Sequence, residues 1–394
     1  MNTAATEPLI GVINAGSSSV KFSVYEGERR LLSGQVDGIG AHPSASAVGP
    51  DGEKLDPPEL GRKPPTVPSE VLPAILPWTR ERLGNRPLAA LGHRVVHGGL
   101  HHSRPARVTP ELLAELEALV PLAPLHEPHN LAPIKMAMTL NPGLPQVACF
   151  DTAFHRTAPE VEQAFALPYS FYEEGIRRYG FHGLSYEYIA SVLPQHAPEI
   201  ANGRIVVAHL GNGCSACAMR NRVSIATTMG FTALDGLPMG TRCGELDAGV
   251  VLHLIQQKKM SAEQLVDLLY RRSGMLGLSG ISSDFRELLA SEEPRARFAV
   301  DVFCYRVAGH IASLGAALGG LDGIVFTAGV GENAAPVRSA ICGACAWLGL
   351  ELDEAANREH QERISKPKSR VAAYVIKTDE NLMIARHARA LVAS

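Results

Sequence analysis

The chain has 394 residues, 46% of them hydrophobic and 20% charged, with a formal net charge of -3. That length exceeds one ordinary core and predicts two domains, while the composition excludes a disordered chain. With no positive excess, neither nucleic acid nor an anionic membrane is an expected partner.

The opening MNTAATEPLIG has no cationic region and no long apolar core, so it does not read as a secretory leader. The most apolar stretch, Ile311 to Gly331, is broken by Asp322 and six glycines, which predicts a buried helix and strand instead of a membrane span. Seven scattered cysteines fit reduced thiols, so the cytoplasm is the expected compartment. Two C-x-x-C pairs, Cys214/Cys217 and Cys342/Cys345, lie too far apart for a zinc ribbon.

In chain order, residues 8–36 predict a β-meander: LIGVINA, SVKFSVYE, a turn at Gly27-Glu28, and RLLSGQV. Residues 41–77 hold nine of the 27 prolines and predict a surface excursion with little core. Pro110 opens a helix, ELLAELEALV, that Pro121 stops. PQVACFD is a buried strand ending on Asp151, and a loop-rich passage follows to RRYGFHG.

Then the opening pattern returns. RIVVAHLGNGCSACAMRNRVSIA (204–226) is again strand, glycine loop, strand, turn and strand, with Gly213 matching Gly16 and Ser215 matching Ser18. Two such hairpins at half-chain spacing predict a duplicated domain. A third glycine loop, TAGVGENAA, follows the strand DGIVF and precedes a helix. GVINAGSSSVKF is not a phosphate loop of the G-x-x-x-x-G-K-[ST] kind. Two glycine hairpins facing a common cleft would instead grip a polyphosphate through backbone N–H groups. That layout resembles the ATPase group of sugar kinases, chaperones and actin.

Candidate chemistry sits in several motifs, each with a plainer alternative. Arg94 in GHRVVHGG is either a structural ion-pair residue or an anion clamp whose planar fork suits a carboxylate or phosphate. His126 and His129 among the prolines of PLAPLHEPHN are either held at a cleft or simply solvated loop residues. His182 in RRYGFHG lies in a glycine-flanked loop where it can donate to phosphoryl oxygens. Asp151 can orient a metal or merely cap the next segment. Arg242, in the glycine-rich 229–247 stretch, makes a second arginine for an anionic substrate. Asp379 before the final helix reads as a cap, and Glu380 as a candidate metal ligand.

Together these motifs carry a family resemblance. NAGSSSVKF, GHRVVHGG, PLAPLH, FDTAFH, RYGFHG, HLGNG, MGFT…MGTR, SGISSDFRE, FTAGVGEN and TDEN resemble, in order, the motifs of acetate kinases and their short-chain carboxylate kinase relatives. The resemblance runs from residue 13 to 381.

It implies an α/β fold of two duplicated ribonuclease H-like, actin-like ATPase domains with a cleft between them. The domains would be 1–152, completed by the C-terminal helix 381–394, and 153–380, the latter carrying nucleotide and dimer contacts. It implies reversible transfer of the ATP γ-phosphoryl to acetate, giving acetyl phosphate and ADP by direct in-line transfer. Magnesium (or manganese) would assist, in a homodimer with neither nucleic acid nor membrane as partner.

By the same resemblance, the catalytic residues are Asp151, His182, Arg242, Arg94 and His126. The acceptor would meet Arg94, Val96, Leu125, Phe181 and Ala233. The nucleotide would meet Ser17, Ser19 and Lys21 on the first hairpin and His209, Leu210, Gly211, Asn212 and Gly213 on the second. Its adenosine side would meet Asp284, Phe285, Arg286, Gly329, Val330, Gly331, Glu332 and Asn333. The metal would fall to Asn14 and Glu380.

The chain departs from the family pattern at Ala233 (usually proline), at Glu127 (LHEP for LHNP), in RYGFHGLSY for RYGFHGTSH, and in CGE at 243–245. Ala233 lies in the implied acceptor pocket, so a propionate kinase with a widened pocket is the alternative reading.

Overall fold

The computed structural model describes residues 7–393. The chain forms two compact units, one running to Ala153 and resuming at Asp379, the other Phe154–Thr378.

The first unit is built on β1 (Leu9–Ala15), β2 (Val20–Glu26), β3 (Arg29–Asp37), β4 (Ser44–Val48), β5 (Lys54–Leu55), β6 (Leu88–Val95), β7 (Ala106–Arg107) and β8 (Gln146–Phe150). They form one sheet in the order β5-β4-β3-β2-β1-β6-β8-β7. β1 and β8 are buried almost throughout, as near-continuous apolar runs such as LIGVINA and QVACF require of central strands. The final helix, Glu380–Ala393, packs on β6, where a Cβ at Gly92 would fall 2.5 Å from Ile384 Cγ2. The absence of a side chain there is what lets helix and strand meet.

The second unit contains β9 (Arg204–Leu210), β10 (Cys214–Arg220), β11 (Val223–Thr227), β12 (Gly323–Thr327) and β13 (Ala372–Val375), ordered β11-β10-β9-β12-β13. The duplication predicted from the hairpins is explicit in this order. In both units an antiparallel three-stranded meander is followed by two parallel strands, β1 with β6 and β8, β9 with β12 and β13. The first hairpin closes with Gly16 N–H donating to Ser19 O at 2.8 Å, the second with Gly211 N–H donating to Gly213 O at 3.1 Å. A 25-residue helix, Pro294–Leu318, leads into β12 as the apolar run predicts. Among the described residues, no helix is long and apolar enough to cross a membrane.

Three local expectations are corrected. The proline-rich 41–77 segment is not bare surface: it adds β4 and β5 to the sheet edge and begins the helix Leu72–Arg82. Val71, Leu72 and Ile75 of that segment are at most 1% exposed, each burial contributing about 1.5–3 kcal/mol. Pro73 is compatible because it occupies the helix's first turn, where no intrahelical N–H bond is lost, whereas Pro77 lies inside the helix and forgoes one. PLAPLHEPHN is likewise only half a loop, since the helix Glu127–Leu140 starts at Glu127 with Pro128 in its first turn and His129 inside it. TAGVGENAA is not an open loop either, because Ala328–Asn333 is a short helix directly after β12.

Candidate active site

In the first unit the site grows from the carboxyl ends of two parallel strands, a recurrent position for ligands in α/β sheets. Arg94 of β6 pairs in register with Cys149 of β8, and Asp151 N–H donates to Val95 O at 3.0 Å. The side chains of Arg94 and Asp151 therefore emerge together. Arg94 Nε donates to Asp151 Oδ2 at 2.9 Å and its Nη2 donates to the same oxygen. Asp151 is 1% exposed, and its other oxygen, Oδ1, has no partner among the described residues. Burial raises the pKa of this carboxyl, Arg94 opposes the rise, and Glu380 adds to it. Burial alone would lower the pKa of Arg94, but Asp151 and then Glu380 outweigh it and hold the guanidinium charged.

Asn14, near the end of β1, donates through Nδ2 to Glu380 Oε2 at 3.3 Å. Asp379 does cap the final helix, accepting Leu382 N–H at 2.9 Å, and also accepts from Tyr25 Oη at 3.2 Å. Ser17 and Lys21 are exposed on the first hairpin and Ser19 is half-buried. Asn14 Oδ1, Glu380 and the partnerless Asp151 Oδ1 form an oxygen-rich set of the kind a hard divalent cation takes. Among the described residues no group of three or more His, Cys, Asp or Glu forms a metal cage. The residues therefore suit an ion that keeps phosphate and water as its main ligands.

Val96 follows β6 and is 3% exposed. Its N–H donates to Asn130 Oδ1 at 2.9 Å, while Asn130 Nδ2 donates to Ala15 O at 2.7 Å. The next N–H, of His97, donates to Glu127 Oε2 at 3.2 Å. Leu125 and His126, both half-buried, immediately precede this helix. Glu127 is completely buried, and burial foremost, with Asp151 adding, pushes its pKa up to about 8 against the opposing effects of the His97 N–H and Arg94.

In the second unit His182 sits just before the helix Gly183–His196 with φ 59°, a left-handed conformation uncommon outside glycine. Its Nδ1 lies 2.8 Å from Ser215 Oγ, which in turn lies 2.5 Å from Tyr186 Oη. The His182 ring stacks on His209 with centroids 4.2 Å apart, and His209 Nδ1 is 2.8 Å from Ser185 Oγ. A Cβ at Gly213 would stand 2.9 Å from Arg242 Nη2 and 3.2 Å from His182 Nε2, so both groups press on the second hairpin's turn. Arg242 Nη1 donates to Ala233 O at 2.6 Å. Phe181 is buried, and its carbonyl lies 2.9 Å from His155 Nε2. Burial lowers the pKa of His155 to about 4, so this imidazole is neutral.

Beside the same hairpin is a cavity of about 600 Å³ lined by Gly211, Asn212, Asp284, Phe285, Arg286, Gly329, Val330 and Asn333. Ser283, Leu289, Ala334 and Pro336 complete it. A Cβ at Gly329 would meet nothing within 4 Å, leaving an open backbone face. Asp284 caps its helix through Arg286 N–H at 2.8 Å and also holds the exposed Arg286 guanidinium, while Phe285 packs edge-on against Phe303. Leu210 and Gly331 are buried behind this surface, and Glu332 accepts the N–H groups of Ala328 at 2.9 Å and Thr378 at 3.3 Å. Those three residues are not among the cavity's lining.

Sequence reasoning missed Asn130, His155, Tyr186 and Ser215. His155 was visible inside FDTAFH and Ser215 in the hairpin repeat, whereas nothing local marks Asn130 or Tyr186.

The acetokinase family model matches residues 9–386. The chain is 54% identical to the acetate kinase of Nitrobacter hamburgensis, over 97% of this chain and 95% of that one. Two crystal structures are similar throughout. Porphyromonas gingivalis acetate kinase has a TM-score of 0.87 at 35% identity, covering 98% of this chain and 100% of its own. A propionate kinase from Francisella tularensis has a TM-score of 0.88 at 34% identity, covering 96% and 98%.

Proposed function

The chain belongs to the acetokinase family, and we propose that it catalyses reversible, direct in-line transfer of the ATP γ-phosphoryl to acetate, giving acetyl phosphate and ADP. The observation that carries this reading is the Arg94–Asp151 pair at the ends of β6 and β8. Asp151 occupies only the Nε and Nη2 edge of the guanidinium, so Arg94 keeps further donors for a carboxylate while its orientation is fixed.

Acetate is ionised at neutral pH, so the reaction needs little base catalysis. What it needs is neutralisation of two anions that must meet. We assign Arg94 to the acceptor carboxylate, Val96, Leu125, Phe181 and Ala233 to its methyl group, and His126 as a further active-site group. Arg242 and His182 donate to the phosphoryl in flight, preorganised around Gly213. The N–H groups of the hairpins, with Ser17, Ser19, Lys21, His209 and Asn212, hold the phosphates, and the 600 Å³ cavity receives the adenosine. Magnesium fits Asn14 and Glu380, with Asp151 orienting it, and when bound it would offset phosphate charge.

A homodimer is supported by the helix Ala248–Gln256, AGVVLHLIQ, which has no buried residue and exposes Val250, Leu252 and Ile255. A cytoplasmic location is supported by the free state of all seven cysteines. Ala233 favours one second reading, a propionate kinase, since an alanine leaves more room than the family's usual proline. Hydroxylamine trapping of the acyl phosphate made from one- to four-carbon acids tests both. Acetohydroxamate formation supports the first, and a hundredfold preference for propionate the second.

A further inference from the structure

We propose that Tyr186 and Ser215 are positioning residues that fix His182 as the neutral tautomer with its hydrogen on Nε2, by donating a hydroxyl hydrogen bond to Nδ1. The inference rests on the assignment of His182 to the transferring phosphoryl. Tyr186 is completely buried, and Ser215 Oγ at 2.5 Å is its hydroxyl's neighbour. Burial keeps the phenol protonated, raising its pKa well above 10.0. A buried O–H must be donated, and Ser215 Oγ is the acceptor in reach. Ser215 is itself buried and has one proton of its own to donate, and His182 Nδ1 at 2.8 Å is the acceptor that receives it. A neutral imidazole that accepts at Nδ1 carries its hydrogen on Nε2.

Nε2 is also the atom facing the second hairpin, 3.2 Å from where a Gly213 Cβ would stand. The donor is thus aimed at the phosphate turn before any ligand arrives, and the stacked His209 ring limits rotation of His182. The edge of His155, 5.4 Å from Tyr186, holds the relay in place from behind. The opposite tautomer would present a lone pair to an anionic phosphoryl oxygen.

The test uses the full chain labelled with 15N at histidine, without ligands, and kinetics of Ser215→Ala, Tyr186→Phe and the double variant. The wild-type spectrum should show His182 protonated at Nε2, and Ser215→Ala should redistribute it toward Nδ1. Ser215→Ala should lower kcat by roughly 10- to 100-fold with little change in KM for ATP. The double variant removes the Tyr186 hydroxyl that Ser215→Ala strands, so it should regain thermal stability but not kcat. A wild-type His182 protonated at Nδ1, an unchanged tautomer in Ser215→Ala, or recovery of kcat in the double variant would each overturn the proposal. The spectrum is read without substrate, so it stands even if acetate is not the acceptor. His182→Ala retaining full acyl phosphate formation would instead strike the underlying assignment.

Discussion

Glu127 should make the stability of the first unit depend on pH in an unusual direction. Its carboxyl is completely buried, and its pKa rises from 4.5 to about 8 in the folded chain. Between those values the folded state holds a proton that the unfolded state releases, so stability is greatest below the lower value and falls as pH rises through this window. The linkage amounts to about 3 kcal/mol between about pH 5 and about pH 7.5. Glu127→Gln removes the ionisation and keeps an oxygen able to accept the His97 N–H. Its new amide N–H brings a cost that does not vary with pH. The informative quantity is therefore the slope. For a unit of this size the unfolding midpoint of Glu127→Gln relative to wild type should rise by roughly 6–12 °C across that pH interval. Calorimetry of both proteins at several pH values measures this. Parallel midpoint curves would show that Glu127 is ionised in the folded state and refute the reasoning.

On the proposed roles, Arg94→Ala and Arg242→Ala should each lower kcat by roughly 10²–10³, since each loses a preorganised donor to a reacting anion; Arg94→Ala should also lower the thermal midpoint, because it leaves the buried Asp151 without its ion-pair partner, and near-normal acyl phosphate formation would count against either role. With Ala233 in the acceptor wall as proposed, Ala233→Pro narrows that wall and should raise the acetate-to-propionate ratio of kcat/KM, by up to about 1–3 kcal/mol. Glu380→Ala should raise the magnesium concentration needed for half-maximal rate, and an unchanged requirement would remove Glu380 from the metal site. Gly180→Ala should cost a few kcal/mol, about 1–2 of them from its left-handed backbone, because φ is 76° and a Cβ would lie 2.6 Å from both His155 Cδ2 and Thr227 Cγ2; a soluble variant with an unchanged midpoint would contradict that packing.

What the sequence made legible follows from how local each signal is. The two hairpins announce themselves through apolar runs broken at Gly16 and Gly213, so their strands and the repeated strand order were readable. The helices Glu127–Leu140 and Ala328–Asn333 were not, because proline and glycine read as loop punctuation while a first helical turn tolerates both. The proline-rich segment misled for the same reason, with Val71, Leu72 and Ile75 buried only because the sheet supplies a surface for them.

The site divides similarly. Arg94, His182 and Arg242 stand in glycine-flanked motifs and Asp151 ends an apolar strand, signals that a single sequence displays. The contacts around them span long stretches of chain: Ser215 is 33 residues from His182, and Asn130, which ties the end of β1 to the turn after β6, is 115 from Ala15. Pairings of that range depend on strand register and helix packing, which a linear reading does not contain.

The central claim, that a phosphoryl group passes from ATP to a carboxylate held by Arg94, is tested most directly by 31P NMR of the purified chain with ATP, magnesium and acetate. The account requires an acyl phosphate resonance growing in equal amount with ADP for wild type and nearly absent for Arg94→Ala. Equal amounts of ADP and inorganic phosphate with no acyl phosphate, even when hydroxylamine is present to trap it, would contradict it.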